Sequence, residues 1–208
     1  MKRFLFAAVL FVLISGIARA QVAYPKMELF GGYSMLKLTL PENWSQIVGV
    51  PATAINHKFL NQGFNVSGAE NLSEYLGIVM DFRYNQGDIL KFKDFASSHA
   101  AKINSLSAMA GPRFTWRKDE NLTPFVHAMA GMDYLRLVDK FEVIGTAGTF
   151  TLYDFGIGAA FGGGVDVKIH EKVAIRLIQA DYYVTRHGDK TMNNINLAFG
   201  FVYHLGAK

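Results

Sequence analysis

Charged side chains of both signs recur on one face of predicted β-strands, and they are the residues of this chain best suited to chemistry. Asp81 and Arg83 stand two residues apart, as do Asp166 and Lys168, and this spacing places both members of a pair on the same face of a strand. Charges on a buried face must pair, because burying an isolated charge costs several kcal/mol or more. We therefore expect one buried ionic network, made of Asp81, Arg83, Arg113, Asp133, Asp154, Asp166, Lys168 and Arg176.

This network supports two interpretations. As a structural plug, its ion pairs would hold the surrounding strands rigid; as a gate, an exchange of partners would open a narrow water path. The sequence leaves the orientation of Arg176 open, because its strand does not alternate cleanly between large and small residues. Either Arg176 or the pair of Gln179 and Asp181 points inward, unless a β-bulge intervenes.

Histidine and serine patterns that could support metal binding or nucleophilic catalysis are weak. No two of the six histidines have the spacing of helical metal ligands; they are His57, His99, His127, His170, His187 and His204. We expect His127 and His204 to face the interior and the others to lie in connections between strands. Ser98 and His99 are adjacent, so they point apart on an extended chain, and the G-x-S-x-G elbow of hydrolases is absent. The sequence therefore predicts no catalytic residue, no metal site and no cofactor.

The elements that must position these residues are β-strands, since large apolar residues alternate with small or polar ones along most of the chain. From Ile195 to Leu205 every second residue is large and apolar, a period of two that a helix cannot produce. The alternation predicts eight strands, at 26–39, 62–72, 75–86, 102–117, 122–137, 150–169, 172–185 and 191–205. The longer connections between them are predicted at 40–61, 87–101, 138–149 and 186–190. Short and long connections at opposite ends indicate an antiparallel up-and-down meander, with strands long enough to cross a bilayer at a tilt.

The contents of the two strand faces decide between a soluble barrel and a membrane barrel. One face carries Leu, Ile, Phe and Trp, while the other carries Gly, Ala, Ser and charges of both signs. The lumen of an eight-stranded barrel is barely wide enough for side chains, so small residues suit it better than rows of Phe and Leu. The large apolar face must then meet lipid, where a sheet has to close because unpaired backbone groups find no partner. We predict an all-β fold, an eight-stranded antiparallel up-and-down transmembrane β-barrel.

The first twenty residues have a composition of their own. A positively charged start, an apolar run over 4–17 and the small-x-small sequence Ala18-Arg19-Ala20 predict a secretory signal peptide at 1–20, followed by a barrel domain at 21–208. The signal segment contains three of the 21 basic residues, and 17 acidic residues oppose the rest. The net charge of +4 therefore comes mostly from this segment, and the nearly neutral remainder argues against nucleic-acid binding. The absence of cysteine excludes disulfides and thiolate metal sites.

Several short segments together resemble the small outer-membrane β-barrels related to the OmpA N-terminal domain. They are Glu28-Leu-Phe-Gly-Gly-Tyr-Ser34, Gly77-Ile-Val-Met-Asp81, Ala110-Gly-Pro-Arg-Phe114, Gly162-Gly-Gly-Val-Asp166 and Arg176-Leu-Ile-Gln-Ala-Asp-Tyr182. The resemblance covers residues 24–205, and it implies an eight-stranded barrel in the outer membrane of a diderm bacterium, with both termini in the periplasm and the long connections outside the cell. Two departures are the non-aromatic ending Gly206-Ala-Lys208 and the lack of an appended soluble domain, so a peptidoglycan-binding role is not expected to transfer.

Three functions suit such a barrel. The first is a structural or interaction role, in envelope integrity, surface contact or adhesion through the extracellular loops. The second is a narrow pore or small-solute channel gated by the lumenal ionic network. The third is a lipid-A-modifying enzyme, for which the chain offers no nucleophile and base pair, so we expect a protein that is not an enzyme.

Two of the long connections carry residues suited to contacts at the cell surface. The connection at 41–61 is unusually apolar and could lie against the barrel mouth, lipopolysaccharide or a partner. The connection at 87–101 carries Lys91 and Lys93, with Lys102 just beyond it, and these lysines could meet anionic lipid phosphates. The expected partners are outer-membrane lipid and lipopolysaccharide, with an unidentified partner at the loops, no nucleic acid, and a monomeric barrel.

Overall fold

A computed structural model describes residues 24–39, 58–93, 97–119, 121–143 and 146–206. Eight strands account for almost all of them: β1 (Met27–Thr39), β2 (Lys58–Asn71), β3 (Leu76–Lys93), β4 (Ser97–Thr115), β5 (Leu122–Val143), β6 (Thr146–His170), β7 (Val173–His187) and β8 (Lys190–Leu205). Each strand pairs antiparallel with its neighbours in sequence, and β1 pairs with β8 to close the ring. The predicted eight-stranded antiparallel up-and-down barrel is confirmed.

The two ends of the barrel are distinguished by the strands that are joined there. At one end, which we call the lower end, β2–β3, β4–β5 and β6–β7 are joined across 72–75, 116–121 and 171–172. In the β4–β5 connection, Asp119 Oδ1 accepts hydrogen bonds from the backbone N–H groups of Asn121 (2.7 Å) and Leu122 (3.1 Å). These bonds stabilise the carboxylate and lower the pKa of Asp119 below its usual value.

Three of the four long connections predicted for the opposite, upper end are wrong. Strands β3 and β4 continue through most of 87–101, and β5 and β6 continue through most of 138–149, because cross-strand backbone pairing persists after the lipid-facing alternation has ended. Strands β7 and β8 meet in the two-residue turn of Gly188 and Asp189, where Gly188 has a positive φ of 58°. The first connection, predicted at 40–61, is wrong at its end, because residues 58–61 already belong to β2; residues 40–57 lie outside the described ranges.

The side chains follow the predicted inverted arrangement, with small and polar groups inside and large apolar groups outside. On β8, Asn194 and Asn196 are at most 1% exposed, whereas Phe199 and Phe201 on the other face are 47% and 63% exposed. This pattern repeats around the ring and leaves an apolar outer surface suited to lipid. Within the described ranges, no helix is long and apolar enough to cross a membrane.

The upper part of the lumen is packed with apolar side chains. Six of them, which we call the apolar cap, are fully buried and belong to one cluster: Leu36, Leu38, Ile89, Ile103, Leu135 and Leu137. They come from β1, β3, β4 and β5 and so reach into the lumen from several sides. Large apolar residues are therefore not confined to the lipid face, as the composition of the strand faces had suggested.

Candidate functional site

The lumen below the apolar cap contains a buried ionic network that begins near the lower end. Arg113 Nη1 on β4 lies 2.9 Å from Glu28 Oε2 on β1, and Arg113 Nη2 lies 3.3 Å from Asp166 Oδ2 on β6. Arg176 on β7 holds the same Asp166 in a two-point contact, with Nε–Oδ1 and Nη2–Oδ2 distances of 2.8 and 3.0 Å. The four side chains are almost fully buried, and we call them the lower cluster. The carboxylates and guanidinium groups here form charge-assisted contacts with one another.

Aromatic rings pack between the arginines of the lower cluster. The guanidinium carbon of Arg113 lies 4.1 Å from the centroid of Phe125, and that of Arg176 lies 4.3 Å from both Phe125 and Phe30. These cation–π contacts hold the guanidinium planes apart and fill the space beside the ion pairs. Below the cluster, Arg117 Nη2 lies 2.6 Å from Glu28 Oε1 and joins the network to the lower mouth.

A central cluster continues the network upward around two aspartates. Arg83 on β3 bridges them, with Nε 2.5 Å from Asp81 Oδ1 and Nη2 2.6 Å from Asp181 Oδ2 on β7. His127 Nε2 on β5 lies 2.8 Å from the other oxygen of Asp181. The Arg83–Asp181 pair crosses the lumen, because β3 and β7 lie on opposite sides of the ring.

Gln179 links the two clusters into one network. Its side-chain oxygen accepts a hydrogen bond from Arg176 Nη1 (2.7 Å), and its nitrogen donates one to Asp181 Oδ2 (2.8 Å). Arg176, Gln179 and Asp181 all face inward because the register of β7 shifts between Arg176 and Gln179, leaving Leu177 and Ile178 outside. The β-bulge left open by the sequence is therefore present, and the orientation of Arg176 does not exclude that of Gln179 and Asp181.

A third group lies at the boundary with the apolar cap and is centred on Asp133. Its carboxylate accepts hydrogen bonds from the Tyr183 hydroxyl (2.6 Å) and the Ser105 hydroxyl (3.3 Å), and His187 Nε2 lies 2.9 Å away. The other ring nitrogen of His187 lies 3.5 Å from Asp154 Oδ2 at the upper mouth, where the Asp154 side chain is 55% exposed. Asp133 thus lies where the network meets the apolar cap.

The structure brings most of the predicted network residues together. Six lie buried in the lumen with the contacts given above: Asp81, Arg83, Arg113, Asp133, Asp166 and Arg176. Asp154 lies at the mouth rather than in the interior. Lys168 is wrong as a buried member of the network: it pairs with inward-facing Ala174, but at the lower end of β6, where its side chain is exposed.

Sequence reasoning missed Glu28, Arg117 and His187 as members of the network. Glu28 is the second residue of β1, so too little of the strand precedes it for alternation to reveal its face. His187 was expected in an outer connection, but the two-residue turn after it keeps it on β7 and in the lumen. His127 faces the lumen as expected, His204 is half-buried, and His170 is exposed at the end of β6.

The network is suited to holding strands together rather than to binding a metal. Its carboxylates contact guanidinium, imidazole, hydroxyl and amide groups, and the partners together come from seven of the eight strands, β1 to β7. Among the residues that the structure describes, no group of three or more His, Asp or Glu side chains is arranged to hold a metal ion. Chemically, the arrangement fixes the cross-section of the lumen by charge-assisted contacts across it.

Comparisons with known proteins agree with this architecture. The family model for the outer membrane protein beta-barrel domain matches residues 4–204. Ail, the attachment invasion locus protein of Yersinia pestis, solved in complex with the heparin analogue sucrose octasulfate, is 17% identical with a TM-score of 0.55, and the match covers 86% of this chain and 99% of that one. The outer membrane protein OprG of Pseudomonas aeruginosa is 11% identical with a TM-score of 0.50, over 90% of this chain and 99% of that one. No curated protein matches the chain by sequence, and the likeness to these structures concerns the fold.

Proposed function

This chain belongs to the outer membrane protein β-barrel domain family and lies in the cell outer membrane, and from that premise we propose that it works as a closed barrel, through its outer and extracellular surfaces. The role we assign to it is structural or interactive: envelope integrity, surface contact or adhesion. Enzymatic activity is not part of this proposal. The lower end, where β1 begins and β8 ends, faces the periplasm in this orientation, and the upper end faces outward.

The filled lumen is the observation that carries this proposal. Buried side chains occupy its whole length, from the Glu28–Arg113 pair near the periplasmic end to Leu38 of the apolar cap. An ion crossing the barrel would have to displace paired charges and then enter a segment lined by Leu and Ile, which repels water. Function at the outer surfaces requires no such passage.

Single-channel recording in planar bilayers tests this proposal. The full chain, folded in detergent and inserted into the bilayer, should produce no steady conductance steps. A matched variant with Leu135→Ser and Leu137→Ser makes the apolar cap polar and should raise the frequency of openings, which shows that insertion has occurred. Steady conductance by the unaltered barrel would overturn the proposal.

A narrow pore gated by the ionic network is the second candidate, favoured by the continuity of that network. Its members form a chain of contacts from Arg117 at the periplasmic mouth through Gln179 to Asp181, with charges of both signs along one route. If the unaltered protein conducts, Arg113→Ala and Asp166→Ala should change the conductance, since each leaves a former partner free to move. Unchanged conductance in both variants would count against gating by this network.

Lipopolysaccharide is the partner that we propose for the outer surface of the upper end. Exposed cations lie on the lipid-facing side of the upper strands: Lys37, Lys102, Arg136, Lys140 and Arg186. Phosphate groups of the outer leaflet would meet them in charge-assisted hydrogen bonds. Lipid A retained by the purified protein should fall when Lys37, Arg136 and Arg186 are replaced together by Gln, and equal retention would contradict this assignment.

Processing and oligomeric state complete the proposal. We expect removal of residues 1–20, which lie outside the described ranges, to leave a mature barrel domain of residues 21–208. Mass spectrometry of the protein from outer membranes should then find Gln21 as its first residue.

We also expect a monomer, because β1–β8 pairing closes the ring within one chain, and light scattering in detergent measures this directly.

A further inference from the structure

Two parallel rows of outward-facing side chains cross β2, β3, β4, β5 and β6 where the apolar outer surface ends. Each member of a row is paired directly with the next one on the neighbouring strand. The row nearer the upper end, which we call the polar row, consists of Gln62, Gln86, Asn104, Arg136 and Tyr153. The row directly below it, which we call the aromatic row, consists of Phe64, Tyr84, Leu106, Tyr134 and Phe155.

The aromatic row forms a ledge of rings on the outer surface. Its end members Phe64 and Phe155 are 54% and 73% exposed. The ring centroids of Phe64 and Tyr84 are 5.7 Å apart, and those of Tyr134 and Phe155 are 4.6 Å apart. Aromatic and tyrosine rings suit the boundary between lipid tails and headgroups, because they are apolar on their faces while a hydroxyl can meet polar groups. The ledge therefore places the polar row at the height of the headgroups.

Tyr84 connects the two rows through its hydroxyl group. The hydroxyl lies 3.5 Å from Gln86 Oε1 and 3.3 Å from Asn104 Oδ1, so three polar groups from two strands meet at one point of the surface. Gln86 is exposed and Asn104 is half-buried, and both amides therefore remain accessible from outside the barrel. Side chains paired directly across two strands stand about 5 Å apart, which lets two of them bind one small ring.

The chemistry of the polar row differs from that of a phosphate site. It contains three neutral amides, one arginine, one tyrosine and no carboxylate. An amide both donates and accepts hydrogen bonds, as the hydroxyl groups of a sugar do, whereas phosphates are bound best by cations. The outer face of β7 and β1 carries the cations Arg186 and Lys37 toward its upper end instead. The amides on β2, β3 and β4 thus match the sugar part of a headgroup rather than its phosphates.

We propose that the polar row and Tyr84 form a binding site for the sugar rings of an outer-leaflet glycolipid, whose acyl chains lie below the aromatic row. Gln86 and Asn104 hydrogen bond the sugar hydroxyls, and Tyr84 keeps the two amides together. Arg136, paired directly with Asn104, meets a phosphate carried by the same sugar. This inference rests on the proposed contact with lipopolysaccharide and assigns the sugar to one wall of the barrel.

Lipid binding by the full chain, folded in detergent and followed by native mass spectrometry, tests the sugar site. The probes are dephosphorylated lipid A, which has the sugar without phosphate, phosphatidic acid, which has the phosphate without sugar, and phosphatidylethanolamine as the reference. The unaltered chain should retain dephosphorylated lipid A better than the reference. Gln86→Leu combined with Asn104→Leu should weaken that retention about tenfold and leave the binding of phosphatidic acid unchanged.

Asn193→Leu on β8 is the matched control. Asn193 is also an exposed amide with a tyrosine partner, since the Tyr182 hydroxyl lies 2.8 Å from its Oδ1, but it stands outside the polar row. This variant should retain dephosphorylated lipid A as the unaltered chain does. If the double variant does not fold, Tyr84→Phe keeps the ring, removes the hydroxyl and should weaken the retention about threefold.

Three results would overturn this proposal. They are retention of dephosphorylated lipid A no better than that of phosphatidylethanolamine, an equal loss in the control, or an equal loss of phosphatidic acid in the double variant. The combined replacement of Lys37, Arg136 and Arg186 tests the phosphate contact separately. If it lowers the retention of phosphorylated lipid A while the double variant retains every probe, the lipopolysaccharide contact stands and the sugar site falls.

Discussion

The lower cluster and the apolar cap, which lie in the two halves of the lumen, are built from opposite chemistry. Below, Glu28, Arg113, Asp166 and Arg176 form contacts of 2.8 to 3.3 Å, each of which depends on the identity and position of its partner. Above, the apolar cap fills the same barrel with Leu and Ile, whose packing requires volume but no particular partner. Removal of one member of a buried ion pair thus leaves its partner charge unpaired. Truncation of an apolar side chain removes only the contacts of that side chain and leaves a void.

Loss of one arginine from the lower cluster is the strongest way to expose this difference. Arg176→Met should lower the free energy of unfolding by about 3–5 kcal/mol, because Asp166 loses its two-point partner and stays buried. Denaturant unfolding in lipid vesicles, followed by tryptophan fluorescence, measures the change. Arg186→Met, on the exposed face, serves as the control and should change the free energy of unfolding little. An equally small effect of Arg176→Met would refute the claim that the lower cluster depends on each of its partners.

Truncation in the apolar cap should cost less. Leu137→Ala is expected to lower the free energy of unfolding by about 2–3 kcal/mol, through lost burial and a void that its neighbours partly fill. The same unfolding experiment measures it. When Leu137→Ala is combined with Leu36→Ala, the loss in the free energy of unfolding should exceed that of either single variant. It should not exceed the sum of the two losses, as it could for coupled charges. A loss larger than that of Arg176→Met would reverse the comparison between the two halves.

Tyr183 joins the halves, since its hydroxyl donates to Asp133 while its ring belongs to the apolar cluster. Tyr183→Phe keeps the ring and removes the donor, and Asp133 retains its contacts with Ser105 and His187. We expect a loss of about 1.5 kcal/mol in the free energy of unfolding, which is typical of a hydrogen bond to a charged group. If no loss is measurable, the contacts with Ser105 and His187 suffice to stabilise the buried Asp133 carboxylate.

The smallest effect should come from Asp119, outside the lumen. Its carboxylate accepts two backbone hydrogen bonds in the β4–β5 connection, and its pKa is therefore lowered on folding. A lowered pKa means that this stabilisation is present above the ordinary value of 3.8 and is lost as the pH falls through the folded-state value. Asp119→Ala should slightly lower the unfolding midpoint at neutral pH and leave it unchanged in strong acid. A difference that persists in acid would assign the effect to something other than the carboxylate.

The sequence predicted those features of the structure that depend only on neighbouring residues along one strand. The alternation of residues along β8 places Asn194, Asn196, Phe199 and Phe201 on the correct faces, because strand geometry fixes the direction of every second side chain. The same rule places Asp81 and Arg83 in the lumen. It does not reveal that Lys168, two residues after Asp166, lies at the exposed lower end of the barrel, because alternation gives the face of a residue and not its height.

Contacts across the lumen and the height of β3–β6 at the upper end were beyond local rules. That Arg83 meets Asp181 follows from the position of β3 and β7 around the ring, which no spacing along the chain contains. The upper parts of β3–β6 were predicted as loops, because side chains there no longer alternate in polarity even though their backbones remain paired.

Closure of the ring by β1 and β8 has a consequence for the rate at which the barrel assembles. Every other pair of neighbours is joined by a direct connection, but Met27 pairs with Leu205 at the far end of the chain. Bringing such distant segments together carries the largest loop-closure entropy in the molecule, and high contact order slows folding. The β1–β8 pairing should therefore form last, and until it forms the partly folded barrel exposes two open strands to any other chain in the membrane.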